Sequence, residues 1–142
     1  MLLKEEALKM MKTIAQNDYY VITVDPAKNR AYLTLIGYWK SRADVPRYID
    51  DWKKAIRELS KGFTVLSDVT RMKAPPQDVV QVHTEAQKVL ISSGLSKVAE
   101  LVGSDVITKM AIDRFSRESG MYKGTFDNWR EADDWLDTKE NR

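Results

Sequence analysis

Cysteine is absent from the 142 residues, so disulfides and thiolate metal sites are excluded. Histidine occurs once, as His83. A metal site needs several nitrogen, sulfur or carboxylate ligands at defined spacing. His83-Thr84-Glu85 offers one imidazole and a neighbour on a different helix face, so no metal and no cofactor is expected. Long apolar runs are also missing: nothing approaches the ~20 consecutive apolar residues of a membrane span. The opening Met1-Leu2-Leu3-Lys4-Glu5-Glu6 lacks the apolar core of a signal peptide and brings in acids at once. A cytoplasmic protein is therefore expected. There is no phosphate-cradling glycine loop, since Gly103-Ser104-Asp105 is a single glycine before a helix cap. Finally, charge of one sign is scarce. The 23 Lys and Arg against 21 Asp and Glu leave a net charge of +2. The two signs are interleaved, as in Asp50-Asp51-Trp52-Lys53-Lys54, whereas nucleic-acid binders concentrate a basic stripe. No nucleic-acid partner is expected.

What remains is ample material for one core. Hydrophobic residues make up 43% of the chain, with four Trp and six Tyr, and the length suits a single domain. Residues 1–17 carry Leu3, Ala7, Met10, Met11 and Ile14 at helical spacing in a breaker-free context, which predicts an amphipathic helix ending at Asn17-Asp18. Such a helix would lie on the domain, on a partner subunit or, being basic, at a membrane interface. Tyr19–Val24 and Ala31–Ile36 are β-branched and aromatic runs around the turn residues Asp25-Pro26-Ala27-Lys28-Asn29-Arg30, which predicts a hairpin. Gly37-Tyr38-Trp39 follows as a packed aromatic edge.

Val45, Tyr48, Ile49, Trp52, Ile56 and Leu59 predict a helix, entered through Ser41 or Asp44 as N-cap and stopped at Lys61-Gly62. Phe63–Ser67 is almost wholly apolar and reads as the central strand, covered on both faces. Asp68 and Thr70 break it. Beyond Pro75-Pro76 a helix runs from about Gln77 to Ser92 with Val79, Val82, Ala86 and Val89/Leu90 buried, and Ser92-Ser93-Gly94 ends it. Lys97–Val102 is a short strand. Ser104 or Asp105 caps a helix whose apolar stripe is Val106, Ile107, Met110, Ala111 and Phe115. Met121–Phe126 is a last strand, and Asp127 or Asn128 caps a short helix with Trp129, Ala132, Trp135 and Leu136. The polar end from Asp137 onward is expected to fray. The pattern is that of an α/β domain with a five-stranded mixed sheet flanked by about four helices, plus the N-terminal helix.

This order of elements from Tyr19 onward resembles the STAS domain, the fold of the bacterial anti-sigma-factor antagonists, and within it the SpoIIAA-like branch (STAS/SEC14). The residues that carry the likeness are Phe63-Thr64-Val65-Leu66-Ser67-Asp68-Val69-Thr70-Arg71-Met72 as strand and turn, Lys97–Val102 as the next strand, and Thr125–Leu136, with its Phe126, Glu131-Ala132 and Trp135-Leu136. The likeness spans residues 18–137, leaving 138–142 as a polar tail. Regulatory members carry an Asp-Ser-Ser-Gly-type motif with a phosphorylated serine in the loop entering the helix after the central strand. Here Lys73-Ala74-Pro75-Pro76-Gln77-Asp78 stands there without a hydroxyl, so phosphoserine switching is not implied.

The resemblance to the lipid-carrying group implies a lipid or other apolar small molecule as ligand, with peripheral membrane contact as helices move off the sheet. Met72, Met110 and Met121 are flexible side chains suited to an adjustable pocket. Asp68 and Thr70 stand at the strand end as ligand contacts or as turn holders. Arg71 with Lys73 could meet a headgroup or an acidic partner. The expected ligand site is thus Asp68, Thr70, Arg71, Met72, Met110 and Met121. Ser67 or Thr70 with His83 could be drawn as nucleophile and base, but nothing in the spacing demands it, so a non-enzymatic protein is expected. The alternative is a protein-interaction module in bacterial signalling, with an anti-sigma-antagonist-like surface and a signalling protein as partner. A homodimer would cover the amphipathic helix and the open hairpin edge.

Overall fold

A computed structural model describes residues 11–139. Six strands form one sheet: β1 (Lys12–Gln16), β2 (Tyr20–Asp25), β3 (Arg30–Gly37), β4 (Thr64–Met72), β5 (Lys97–Leu101) and β6 (Lys123–Phe126). They lie side by side in chain order, antiparallel from β1 to β3 and parallel from β3 to β6. The helices are α1 (Tyr48–Ile56), α2 (Gln77–Ser92), α3 (Val106–Ser119) and α4 (Trp129–Leu136). Each of α1, α2 and α3 connects two adjacent parallel strands, and all three pack on one face in the main core. The opposite face receives α4, through Leu66, Ala99, Ala132 and Leu136.

The first expectation to be corrected is the N-terminal helix. Residues 12–16 are a strand paired with β2, while residues 1–10 lie outside the described part. Asn17-Asp18 is the turn of that hairpin: Asn17 Oδ1 accepts from the Tyr19 and Tyr20 amides at 2.8 and 3.0 Å. Helix propensity loses here because β2 offers a row of free backbone groups, and pairing satisfies them while Ile14 and Ala15 join the core. The sheet therefore has six strands rather than five, and the edge of β2 expected to be open is paired.

Three boundaries also move. Neither Ser41 nor Asp44 caps α1; a single 3₁₀ turn (Arg42–Asp44) intervenes, and α1 begins after Pro46. The residue before a proline is driven out of the helical region, and Val45 sits at φ −130°, ψ 54°. β4 does not stop at Ser67 but continues to Met72 across a bulge. Asp68 Oδ1 pins that bulge, accepting from the Thr70 amide at 2.9 Å and its hydroxyl at 2.6 Å. The C-terminal end is anchored further than expected, since Asp137 and Thr138 hold buried cations. At the end of α2, Gly94 has φ +106°, and a Cβ there would meet Lys61 Cγ at 2.8 Å. Only glycine fits, so Ser92-Ser93-Gly94 is a helix stop.

Candidate functional site

The residues expected to form a ligand site are not brought together. Asp68 and Thr70 bond each other on the bulge, and Asp68 points to the α4 side of the sheet, in register with Thr34 and Leu101. Arg71 is exposed, and Met72 is buried in the main core. Met110 was expected on the buried stripe of α3 but is 66% exposed, as are Val106 and Ile107 to similar degrees. Of the expected stripe Phe115 is buried, and Thr108, Ile112 and Ser116 complete the buried side of α3. Asp105 explains the rotation. As N-cap it accepts from the Ile107 and Thr108 amides and from the Thr108 hydroxyl, fixing Thr108 inward. The same bonds hold its carboxyl below the ordinary range. Of the six residues only Met121 reaches the internal cavity; Thr70 and Met72 line a separate surface cleft of about 130 Å³.

The cavity lies between the sheet and α1, α2 and α3, with a volume of about 30 Å³. That is room for about one or two waters. Alternation along the strands builds its floor: Leu33 and Leu35 of β3, Val65, Ser67 and Val69 of β4, Val98 and Glu100 of β5. Ser67 and Glu100 are register partners across β4 and β5. Its roof comes from Tyr48 and Trp52 of α1, His83 and Gln87 of α2, and Phe115 of α3.

His83 is stacked between Trp39 and Phe115, with centroids 4.7 Å from each and planes inclined by 27° and 16°. The Tyr48 ring meets it edge-on at 5.8 Å. No carboxylate neighbours it, and burial alone pulls its pKa down to about 3, so the imidazole is neutral in the folded protein. Nε2 of His83 and Nε1 of Trp52 are both buried without a hydrogen-bond partner. The Trp52 N–H lies near enough to the Tyr48 hydroxyl to temper the upward push of burial on that phenol, yet not in hydrogen-bond geometry. Burying such a group unsatisfied costs about 1–3 kcal/mol. Both residues, Trp52 and His83 on two different helices, line the one cavity.

The one acid on the wall is Glu100, which is buried and bound at 2.7 Å by Lys123, itself 2.7 Å from Asp113. Desolvation raises the Glu100 pKa, and Lys123 opposes that rise. The cavity shares Val69 and Ile112 with the surface cleft at the strand ends, and Met121 with a shallow hollow beside Asp113 and Lys123. These three side chains are the thin places in its wall. Two polar contacts latch α2 to α3 above it: the Ser119 hydroxyl donates to Gln87 Oε1 at 2.6 Å, and the Thr84 hydroxyl to Glu118 at 3.3 Å. Among the described residues no cluster of three or more His, Asp or Glu could hold a metal ion.

Sequence reading singled out His83 but left out Trp52, Gln87 and Glu100. The signal for Glu100 was legible: it is an acid in an apolar strand at the alternate position shared with Val98. His83 likewise falls on the stripe of Val79 and Ala86.

A sequential six-stranded mixed sheet with three helices on one face and one on the other is a SpoIIAA-like, STAS-type arrangement. The same arrangement occurs in the crystal structure of an uncharacterised DUF3478-family protein with a SpoIIAA-like fold from Shewanella loihica PV-4. It superposes with a TM-score of 0.61 at 13% identity, covering 86% of this chain and 97% of that one. No protein-family model matches the sequence, and no curated protein matches it. Likeness at that identity establishes the fold and leaves function to the site.

Proposed function

We propose that this protein is a non-enzymatic binder of a small molecule with an apolar body and one polar group, taken up between the sheet and the α1–α3 layer. The observation that carries the reading is the pair of orphaned buried nitrogens, Trp52 Nε1 and His83 Nε2, on the wall of one largely apolar cavity. Natural folds rarely leave such groups unmet, and a ligand's polar atom would meet them. A ligand larger than a water needs α2 and α3 to separate, which breaks the Ser119–Gln87 and Thr84–Glu118 bonds, unstacks His83 from Phe115 and lets Met121 swing. Support for a non-enzymatic role comes from Ser67 and His83. Both face the cavity without a hydrogen bond joining them, and a histidine with a pKa near 3 is a poor base at neutral pH. The test is native mass spectrometry of gently purified protein. A retained small molecule, lost when Ala86→Leu fills the cavity in a protein with unchanged circular dichroism, supports the reading. Bare protein with no thermal shift across an apolar ligand panel contradicts it.

Peripheral membrane contact is a second reading, favoured by the outer side of α3. Val106, Met110, Arg114 and Arg117 follow one another at spacings of three and four, with Ile107 beside them, and all are exposed. Apolar residues followed by arginines on one exposed helix side suit an anionic lipid surface. Among the described residues no helix is long and apolar enough to cross a membrane, so the contact would be superficial. Co-sedimentation with phosphatidylserine vesicles, reduced in Met110→Ser and absent with phosphatidylcholine alone, is the expected result. Equal recovery with both vesicle types contradicts it.

A further inference from the structure

We infer that the cavity selects a ligand whose polar group is an uncharged hydrogen-bond acceptor, an alcohol rather than a carboxylate, phosphate or amine. The inference rests on the binding reading above and narrows it through two features of the wall. The first is charge. Glu100 and Asp113 share the cation Lys123, so with both acids ionised the trio is one negative charge in excess. None of the other residues lining the cavity is Lys or Arg. An anionic head would enter a cavity whose lining holds the acid Glu100 and no cation to receive it, and burying an unpaired charge costs several kcal/mol.

The second feature is hydrogen-bond polarity. The Trp52 indole can only donate, so whatever satisfies it must accept. An ammonium has three donors and no acceptor, which leaves Trp52 Nε1 unmet. A hydroxyl can accept from Trp52 and can donate to or accept from His83 Nε2, whichever way the neutral imidazole is protonated. Among the described residues the Ser67 hydroxyl makes no hydrogen bond, and Gln87 uses its Oε1 for Ser119, so its amide nitrogen is available to a second acceptor. The apolar body then lies along Leu33, Val65, Val98 and Ile112.

The experiment is calorimetric titration of the full chain at neutral pH with octanol, octanoate and octylamine, which share one apolar body. Octanol is expected to bind at least about tenfold more tightly than either charged analogue, a difference of about 1.4 kcal/mol. Glu100→Gln, which keeps an acceptor for Lys123, should raise octanoate affinity several-fold relative to that of octanol. Trp52→Phe should erase the advantage of octanol over octylamine. Octanoate or octylamine binding as tightly as octanol overturns the selectivity while leaving the binding reading intact. Failure of all three to bind overturns both.

Discussion

The two faces of this sheet bury polar groups in opposite ways. Under α4 every buried cation is saturated. Arg30 donates to Thr64 Oγ1 at 2.9 Å, to Asp133 Oδ1 at 2.8 Å and to Asp137 Oδ1 at 2.8 Å. Lys97 donates to the Trp135 and Thr138 carbonyls and to the Thr138 hydroxyl, and sits 4.3 Å from the Trp135 ring centroid. Asp133 also receives the Tyr32 hydroxyl, whose pKa burial, aided by that acid, pushes up to about 12. Under α1, α2 and α3, by contrast, two ring nitrogens stay unmet beside a cavity. Burial of a polar group is thus no mark of function by itself. A saturated network clamps one element to another, whereas unmet groups on a cavity wall leave something for a ligand to do.

Removing a clamp should produce the largest effect. Arg30→Met leaves Asp137 without its cation and Asp133 with only Lys28 at 3.5 Å, and is expected to cost about 2 kcal/mol, read from the urea midpoint. A loss below about 1 kcal/mol would mean that α4 is held by packing alone. Acid should act next, and on the other face. His83 is held neutral, with its pKa lowered from 6.5 to about 3. Between those values the unfolded chain takes up a proton that the folded protein refuses, so stability falls as pH drops below 6.5. The slope from this residue is at most about 1.4 kcal/mol per pH unit. Glu100, whose pKa is raised, has the opposite sign and weakens the fold as pH rises through its own range. His83→Phe should flatten the acid limb of the stability profile, and an unchanged limb would show that His83 is not the group responsible.

A smaller loss, of about 1 kcal/mol, is expected for Asp68→Ala, which frees the Thr70 amide and hydroxyl on the β4 bulge without touching the cavity. Unaltered octanol affinity in that variant would confirm that this polar turn is structural. A net change of about 1 kcal/mol or less is expected for Trp52→Phe. It removes an unmet N–H, which favours the fold, and ring atoms of a fully buried side chain, which disfavours it, so the two effects oppose in the ligand-free protein even as octanol affinity falls.

Much of the fold was legible because it rests on periodicity. The parallel strands, the hairpin at Asp25–Arg30 and the helix stop at Gly94 all follow from local pattern and backbone freedom. The N-terminal strand was not legible, because Lys12–Gln16 has no strand signal of its own and takes its state from β2. The site was less legible still. Met110 lies at a spacing that fits a buried stripe, yet the Asp105 cap turns it outward. Trp52 reads as plain core until the fold brings α1 to the cavity that Ser67 and Glu100 also line, a convergence made only by the tertiary fold.

The most direct test is the indole N–H spectrum of ¹⁵N-labelled protein during octanol titration. The four tryptophans divide by face: Trp39 and Trp52 on the cavity side, Trp129 and Trp135 on α4. Trp39 already donates toward the Tyr19 and Ile36 carbonyls, so of the two cavity-side indoles Trp52 is the one with an unused N–H. The Trp52 signal should move downfield to saturation as its hydrogen bond forms, while those of Trp129 and Trp135 stay in place. A Trp52 resonance that does not move at saturating octanol would contradict the central claim.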